Sequence, residues 1–418
     1  MSTRYLVIRT NADIEHVYYR KRASYFSDPV SWMSAKVTRG SIDLTGESPE
    51  KISISIDTID GHESDAEQLR SDPSTVMVAD PDVVFSLVQP KARYVSDAIS
   101  LKTAGTLRMP EGLLAVNADT CPFTGQGVTV AVLDTGIDAT HPAFKGKKLA
   151  KRDFTGEGNS IDDVTDKEGH GTHCAGTVCG TIVDDVRVGI APGVTKLCIG
   201  KVIGTNGGTL EMLLKGMYWA VMEENASVIS MSLGYDLPGN TERLIRSGMN
   251  PALATQKAMR QQNDIIKGIA TLRAFLESQR KNVLFVAASG NESDRPAFVL
   301  DAGLPAAELF PVGAVGLKAD KWEVASFSNA RAQIVAPGVD VVSAAVGGGW
   351  ASMSGTSMAT PHVAGVAALW VEKLGSTGDL FNPGSLYSAL LANATKNPLA
   401  NTDTGSIGAG MVQAPLSI

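Results

Sequence analysis

The sequence has few cysteines, no long basic run and no apolar stretch long enough to cross a bilayer. Its 44 acidic residues outnumber its 37 lysines and arginines, and the net charge of −7 argues against a nucleic-acid partner. The lack of a long apolar stretch argues against a membrane partner. Four cysteines in 418 residues are too few for a disulfide framework; they are Cys121, Cys174, Cys179 and Cys198.

The N-terminus also lacks the features of a secretory signal. In MSTRYLVIRTNADIEH no charged segment precedes an apolar one, and no small-residue cleavage site follows. With 44% hydrophobic and 19% charged residues, the composition is typical of a globular protein. We therefore expect reduced thiols and a cytoplasmic location, or secretion if a leader has been removed.

Residues 1–100 differ in pattern from the rest of the chain and predict a small α+β domain. RYLVIRT and SISIDTI have the apolar patterns of short strands, and DAEQLRSDP predicts a helix that ends before Pro73. TVMVADPDVVFSLVQP predicts a strand, a turn and a second strand. A looser segment, residues 91–125, leads into a second domain assigned to residues 101–418.

From Gly127 onward, short apolar runs alternate with glycine turns and helical stretches. VTVAVLDTG, KLCIGKVIG, ASVISMSLG, NVLFVAASGN and AQIVAPG each predict a strand buried on both faces. Such strands are typical of a parallel sheet covered by helices, which binds its ligands at the carboxyl ends of the strands. The polar residues after these runs are therefore candidate site residues.

Three motifs with candidate site residues have simpler interpretations when each motif is considered alone. Asp134, in VLDTG, could form a turn. His170 and His173, in GHGTHCAG, could bind a metal ion, but no third ligand of suitable spacing follows, so zinc is disfavoured. Ser357, in GTSMATPHVAG, could cap the apolar helix that begins there.

Taken together, Asp134, His170 and Ser357 supply the three groups of a nucleophilic triad. A serine hydroxyl becomes reactive when a neutral imidazole takes its proton and a carboxylate orients and stabilises that imidazole. Asn291, which follows a predicted strand in VAASGNE, could donate its amide to an oxyanion beside the backbone N–H of Ser357.

The segments DTGID, HGTHCAG, SLG, ASGN and GTSMATPHVAG, in this order, resemble the subtilisin-like serine proteases, the subtilase family. The resemblance implies a three-layer α/β fold with a mostly parallel central sheet, preceded by a small propeptide-like α+β domain. It implies a serine endopeptidase acting on peptides or proteins, with Asp134, His170 and Ser357 as triad and Asn291 at the oxyanion hole. The substrate-binding residues that it implies are Ser232, Leu233, Gly234, Ala288, Ser289 and Gly290.

The sequence departs from the family pattern where many members bind calcium. Ala143 stands at the acid position, and only Asp184 and Asp185 in TIVDDVRV offer oxygen ligands nearby. We therefore predict no metal in the site and no cofactor for catalysis. Structural calcium elsewhere in the chain is left open.

Two further expectations concern the ends of the cleft. A helical insertion at about residues 237–264 directly follows the SLG segment, so it should narrow substrate choice or receive a partner. The N-terminal domain is expected to inhibit the enzyme as an intramolecular partner and to be removed by self-cleavage between about Tyr94 and Pro110.

Two rival functions are compatible with the same fold. An esterase could use the same triad, although the SLG segment favours peptide substrates by strand pairing. A catalytically silent or permanently inhibited binding or regulatory protein is the alternative from another class. The presence of all four catalytic residue types together argues against it.

Overall fold

The computed structural model describes residues 3–10, 53–80, 83–87, 91–94, 101–376, 382–400 and 403–417. The strands are β1 (Thr3–Thr10), β2 (Ile54–Gly61), β3 (Thr75–Ala79), β4 (Val84–Leu87), β5 (Lys91–Tyr94), β6 (Lys102–Ala104), β7 (Leu107–Met109), β8 (Thr129–Asp134), β9 (Lys148–Asp153), β10 (Lys196–Lys201), β11 (Gly208–Thr209), β12 (Val228–Met231), β13 (Leu233–Gly234), β14 (Leu284–Ala288), β15 (Phe310–Lys318), β16 (Lys321–Val324), β17 (Ile334–Pro337), β18 (Val341–Ala344) and β19 (Trp350–Ser354). The α-helices are α1 (Glu63–Arg70), α2 (Glu111–Ala115), α3 (His170–Cys179), α4 (Leu210–Tyr218), α5 (Leu237–Arg246), α6 (Pro251–Ser278), α7 (Thr356–Ser376), α8 (Pro383–Ala392) and α9 (Thr404–Ile407).

A central eight-stranded sheet forms the middle layer of the molecule. Its strand order is β16-β15-β14-β12-β8-β10-β9, with β17 also beside β15. All of its pairings are parallel except that of β15 with β16. The five runs predicted as buried strands are β8, β10, β12, β14 and β17, so the mostly parallel sheet is confirmed.

Helices cover both faces of this sheet, because successive residues of its strands point to opposite sides. In β8, Val130 and Val132 pack in the core that contains helices α3 and α7. Ala131 and Leu133 pack in the opposite core, with helices α4 and α6. The predicted three-layer α/β architecture is therefore confirmed.

The N-terminal residues form an antiparallel three-stranded sheet of order β2-β1-β3 with helix α1 on one face. Tyr5 and Val7 of β1 pack against Ala66 of α1. The alternate residues, Leu6 and Ile8, are fully buried in the core that holds helices α4 and α6. The N-terminal sheet therefore shares a hydrophobic core with one side of the central layer.

Strand β4, which the sequence placed next to β3 as a strand–turn–strand unit, does not join the N-terminal sheet. It lies between β11 and β13 and is antiparallel to both. Farther along the chain, β5 pairs antiparallel with β19, so the segment read as looser, residues 91–125, contains strands β5 to β7 and helix α2. The partners of β4 and β5 could not be read from the sequence, because they lie more than a hundred residues farther along the chain.

The predicted helical segment forms two helices, α5 and α6. The four residues at helical spacing, Ile265, Ile269, Leu272 and Leu276, are all buried, as expected for a core-facing stripe. Among the helices that the structure describes, α6 included, we find none with the length and apolarity that a bilayer crossing needs.

Candidate active site

The candidate residues meet at the carboxyl edge of the central sheet. Asp134 is the last residue of β8, Ser232 follows β12 directly, and Ser289 follows β14 directly. These three strands are neighbours in the order β14-β12-β8. Helices α3 and α7 begin at the same edge and bring His170 and Ser357 to it.

A buried carboxylate and imidazole form the centre of the site. Nδ1 of His170 lies 2.7 Å from Oδ1 of Asp134, and both side chains are 2% exposed. The backbone N–H of Thr135 donates to the same carboxylate oxygen at 2.8 Å. Burial opposes protonation of the imidazole, but the adjacent carboxylate outweighs it and holds the pKa of His170 well above its usual value.

A second buried carboxylate, Asp166, organises the loop that carries His170. One of its oxygens accepts hydrogen bonds from Thr135 Oγ1 at 2.9 Å and Gly169 N at 2.9 Å, and the other accepts from Thr172 N and Oγ1 at 2.8 and 2.6 Å. Asp166 thus ties the start of α3 to the end of β8. The sequence analysis missed Asp166, because the polar run TDKEGHG has the composition of a surface loop. The position of this acid four residues before His170 was the one signal of a role in the site.

Ser357 lies in the first turn of α7 and is fully buried in this structure. Its hydroxyl donates to the Ser232 carbonyl at 3.4 Å, and Ser232 Oγ donates to the Ser357 carbonyl at 2.9 Å. The Cys174 thiol lies between the two motifs, 3.9 Å from His170 Nδ1 and 3.5 Å from the Ser357 carbonyl. Nε2 of His170 is buried and has no hydrogen-bond partner among the described residues.

Asn291 is fixed by the start of α7. Its Oδ1 accepts hydrogen bonds from the N–H and the Oγ1 of Thr356, each at 2.9 Å. The helix end is thus capped by Asn291, whereas the sequence had left Ser357 as a candidate cap. Because Oδ1 is held in this way, Nδ2 is directed toward Gly355, where an added Cβ would lie 3.0 Å from it.

The six predicted substrate-binding residues lie on two neighbouring segments beside a cleft, and four of them, Gly234, Ala288, Ser289 and Gly290, line one pocket there. Ser232, Leu233 and Gly234 lie on and beside β13, and Ala288, Ser289 and Gly290 lie at the end of β14. The rest of the lining of this pocket comes from Ser86 and Leu87 of β4 and from Tyr235, Asp236, Glu292, Gly303 and Leu304. Gly303 donates its N–H to the Ser289 carbonyl at 2.9 Å, and Tyr235 donates its N–H to the Leu304 carbonyl at 2.8 Å.

The remaining motif histidines bind backbone groups. His173 Nε2 lies 3.0 Å from the Val341 carbonyl, and burial lowers the pKa of His173 to about 3. His362 Nδ1 lies 2.8 Å from the Met358 carbonyl, and burial lowers its pKa to about 4. His141 Nε2 lies 2.8 Å from the Gly349 carbonyl. His16 lies outside the described residues.

The chain positions considered for calcium lie apart from any cluster of ligands. Asp184 and Asp185 adopt positive φ values of 47° and 62° in a surface turn. Within the described ranges, one group of three or more His, Cys, Asp or Glu side chains has its ligand atoms within 4.8 Å of one another; it consists of Asp134, His170 and Cys174.

The fold, with a buried carboxylate–imidazole pair and a serine-bearing helix at the carboxyl edge of its sheet, is typical of a hydrolase of the serine-protease class. Comparison with known proteins agrees: the model of the subtilase family, peptidase S8, matches residues 125–410. The chain belongs to the subtilase family, and it is a serine endopeptidase.

Several characterised proteins are similar over most of their length. The intracellular serine protease of Paenibacillus polymyxa is 36% identical over 287 residues, which cover 66% of this chain and 76% of that protein. The major intracellular serine protease of Bacillus subtilis (strain 168) is 33% identical, covering 62% of this chain and 74% of that protein. Alkaline elastase YaB of Bacillus sp. (strain YaB) is 33% identical over 387 residues, which cover 87% of this chain and 88% of that protein.

Proposed function

We propose that Asp134, His170 and Ser357 form the catalytic triad of this endopeptidase and that Asn291 stabilises the oxyanion. The observation that carries this proposal is the buried 2.7 Å contact between Asp134 Oδ1 and His170 Nδ1. It fixes the imidazole with Nε2 as the base, and Cys174 links the His170 and Ser357 motifs.

In the proposed reaction, Ser357 Oγ attacks the peptide carbonyl while His170 Nε2 takes the hydroxyl proton. The tetrahedral oxyanion accepts hydrogen bonds from Asn291 Nδ2 and the Ser357 N–H at the start of α7. His170 then protonates the leaving amine, and an acyl-enzyme forms on Ser357. Water activated by His170 hydrolyses this ester, so the proposed chemistry uses no metal ion or cofactor.

Peptide substrates, as opposed to simple esters, are supported by the pairing of β4. Leu87 lies opposite Leu233, and Ser86 lies opposite Gly234, so the SLG segment already accepts an extended peptide as an added strand. On the other side, Phe85 pairs with Gly208. A substrate held between β11 and β13 in this manner presents its carbonyls in a fixed register.

We infer that the N-terminal segment inhibits the enzyme by occupying this cleft. Strand β4 fills the substrate position beside β13, and β5 pairs with β19, which ends three residues before Ser357. The chain therefore contacts the cleft on both sides of the serine. Phe85 is fully buried and packs edge-on against Tyr235, with ring centroids 6.4 Å apart.

Helix α6 supplies a second attachment for the N-terminal segment. Asp80, just after β3, accepts hydrogen bonds from Lys257 Nζ at 2.9 Å and Gln261 Nε2 at 3.0 Å. Gln261 Oε1 in turn accepts from Asn240 at 2.7 Å and Tyr235 at 3.3 Å. We propose that the expected partner of the 237–264 insertion is the chain's own N-terminal segment.

Labelling with a fluorophosphonate probe tests both proposals. Phe85→Asp in the full chain should release β4, because burying an unpaired carboxylate is costly, and should speed labelling of Ser357. Glu67→Ala, an exposed change on α1, is the control and should leave the rate unchanged. A Phe85→Asp protein that is folded and still unlabelled would support the silent-protein alternative.

Self-cleavage is expected between residues 87 and 91, upstream of the range Tyr94–Pro110 that the sequence suggested. Those residues connect β4, which pairs with β13, to β5, which pairs with β19. The two pairings lie on either side of Ser357. Intact mass spectrometry of the wild type should give a product that begins within residues 88–91. Ser357→Ala should stay at full length.

A product that begins between residues 95 and 111 would support the original cleavage range. If the wild-type chain remains intact after long incubation, the N-terminal segment is a permanent regulator instead of a removable one. Both outcomes are distinguished in the same mass spectrum.

The attachment at α6 should weaken as the pH rises. Burial raises the pKa of Asp264 to about 6, and the neighbouring Asp80 carboxylate adds to the rise. Because the folded-state pKa exceeds the unfolded value of 3.8, this contribution to stability is fully present below pH 3.8 and is lost as pH rises through about 6. Asp264→Asn should therefore reduce the drop in Tm between pH 5 and pH 7.5.

This measurement is made on Ser357→Ala proteins, so that cleavage cannot interfere. Glu277→Gln, an exposed change on the same helix, serves as control. An equal pH response in the Asp264→Asn and control proteins would contradict the prediction.

A cytoplasmic site of action is also proposed. Two similar proteins are named intracellular serine proteases, whereas other members of the family carry names without a location. The four cysteines are free thiols, three of them buried, which suits a reducing compartment.

A further inference from the structure

A second pocket lies at the amino edge of the central sheet, on the side away from the candidate active site. It is a cavity of about 130 Å³ between the end of α6, the first residues of the parallel strands β14 and β15, and the start of α8. The candidate site residues Ala288 and Ser289 lie at the other end of β14. The pocket is therefore separate from the substrate cleft.

The inner wall of this pocket is apolar. Its lining residues Leu276, Leu284 and Phe310 are 1%, 5% and 1% exposed. Tyr387 of α8 also lines it and packs edge-on against Phe310, with ring centroids 5.0 Å apart. Leu276 belongs to one of the two cores beside the sheet and Leu284 to the other, so the cavity lies where the two cores meet. Because an apolar cavity of about 150 Å³ binds benzene, a cavity of this size holds one aromatic ring or one leucine side chain.

Two half-buried cations line the same pocket. Arg273 Nη1 donates to the Glu308 carbonyl at 2.7 Å, and Lys281 Nζ donates to Asn225 Oδ1 at 2.8 Å. In the part of the chain that the structure describes, neither cation forms an ion pair with a carboxylate, and each has further N–H donors. Glu277 also lines the pocket but is exposed. The lining therefore combines an apolar interior with two positive charges and one negative charge.

We propose that this pocket binds the carboxyl-terminal residue of a peptide that ends in phenylalanine or leucine. The side chain would fill the cavity against Leu284 and Phe310, and the terminal carboxylate would accept hydrogen bonds from Arg273 and Lys281. Since the cavity holds one side chain, the rest of the peptide would stay outside it. Each cut by an endopeptidase leaves a free carboxylate on the amino-terminal fragment, so the enzyme itself produces ligands of this chemistry. The inference does not depend on which residues form the triad.

The tripeptide acetyl-Ala-Ala-Phe, as the free acid and as the carboxamide, is the probe. Its binding to the full-length Ser357→Ala protein, in which β4 lies beside β13, is measured by ligand-observed NMR titration. We expect a dissociation constant on the order of a millimolar for the acid, as is usual for a ligand of this size. The carboxamide should bind about fivefold more weakly, since it lacks the charge that partly exposed cations attract. High salt should reduce this difference.

Two variants test the pocket by independent routes. Lys281→Gln should weaken binding of the acid about fivefold and leave binding of the carboxamide unchanged. Leu309→Trp, at a half-buried lining residue, places an indole in the cavity and should abolish binding of both probes without removing a charge. Lys321→Gln, a change at an exposed lysine on β16 outside the pocket, is the control and should leave both dissociation constants unchanged.

Binding of the acid that is unchanged by both Lys281→Gln and Leu309→Trp would place the probe elsewhere, such as in the substrate cleft, and would overturn the inference. Equal binding of the acid and the carboxamide would overturn the recognition of a carboxylate. Tighter binding of 3-phenylpropionate than of the tripeptide acid would assign the pocket to free aromatic acids and overturn the peptide assignment. All of these outcomes are read from binding, so they leave the proposed function of the cleft to its own tests.

Discussion

Ser357→Ala is expected to lower kcat by about a millionfold, the magnitude measured for the equivalent change in subtilisin, a relative in this family. The reason is that the alanine methyl group cannot form the acyl-enzyme, so His170 has no nucleophile to activate. A residual rate above that of water should persist, because the oxyanion donors and the cleft remain. The measurement is peptide hydrolysis by the Phe85→Asp chain with and without the substitution.

Ser388→Ala, a change at an exposed serine in α8, is the matched control and should retain full activity. Both proteins should show the same thermal unfolding, because Ser357 Oγ makes a long 3.4 Å contact with the Ser232 carbonyl. A Ser357→Ala protein that kept more than about one hundredth of the activity would exclude Ser357 as the nucleophile.

Asn291→Leu is expected to lower kcat by about 10²- to 10³-fold with little change in KM. This is the magnitude measured in subtilisin when its oxyanion-hole asparagine is replaced. The leucine side chain has similar size but cannot donate to the oxyanion, which exists only in the transition state. Substrate binding by β11 and β13 does not involve this side chain, so KM should be retained. Steady-state kinetics on the same peptide separates the two parameters.

The anchoring of Asn291 provides an independent control. Thr356→Val removes one of the two hydrogen bonds to Asn291 Oδ1 and keeps the backbone one, so its effect on kcat should be smaller than that of Asn291→Leu. A decrease in kcat of less than tenfold for Asn291→Leu would show that the backbone N–H donors at the start of α7 suffice for oxyanion stabilisation.

The sequence predicted most of the catalytic half of the molecule. Buried strands of a parallel sheet are continuous apolar runs, which single them out without knowledge of their partners. The site residues followed from the same pattern, because Asp134, Ser232 and Ser289 come at or just after the ends of such runs. Three strands of the sheet were missed: β9 is polar and partly exposed, β15 contains Pro311 and two glycines, and β16 is short with two charged residues.

The placement of β4 could not be predicted in the same way. The segment VFSL has the composition of a strand whichever strand it pairs with. Its local sequence does not indicate whether the neighbour is β3 or the distant β13. The polar contacts of Asp166 and Gln261 were also missed. Each depends on residues that are far apart in sequence and that only the completed fold brings together.

The position of β4 in the cleft also determines how activity should depend on enzyme concentration. While the chain is intact, the tethered strand reaches the cleft at an effective concentration on the order of millimolar. A cut within residues 87–91 would remove this tether but leave the contacts of Leu6, Ile8 and Phe85 with the shared core. The proposed inhibition would then become an ordinary bimolecular equilibrium, so diluting the cleaved enzyme should raise its specific activity and concentrating it should lower that activity.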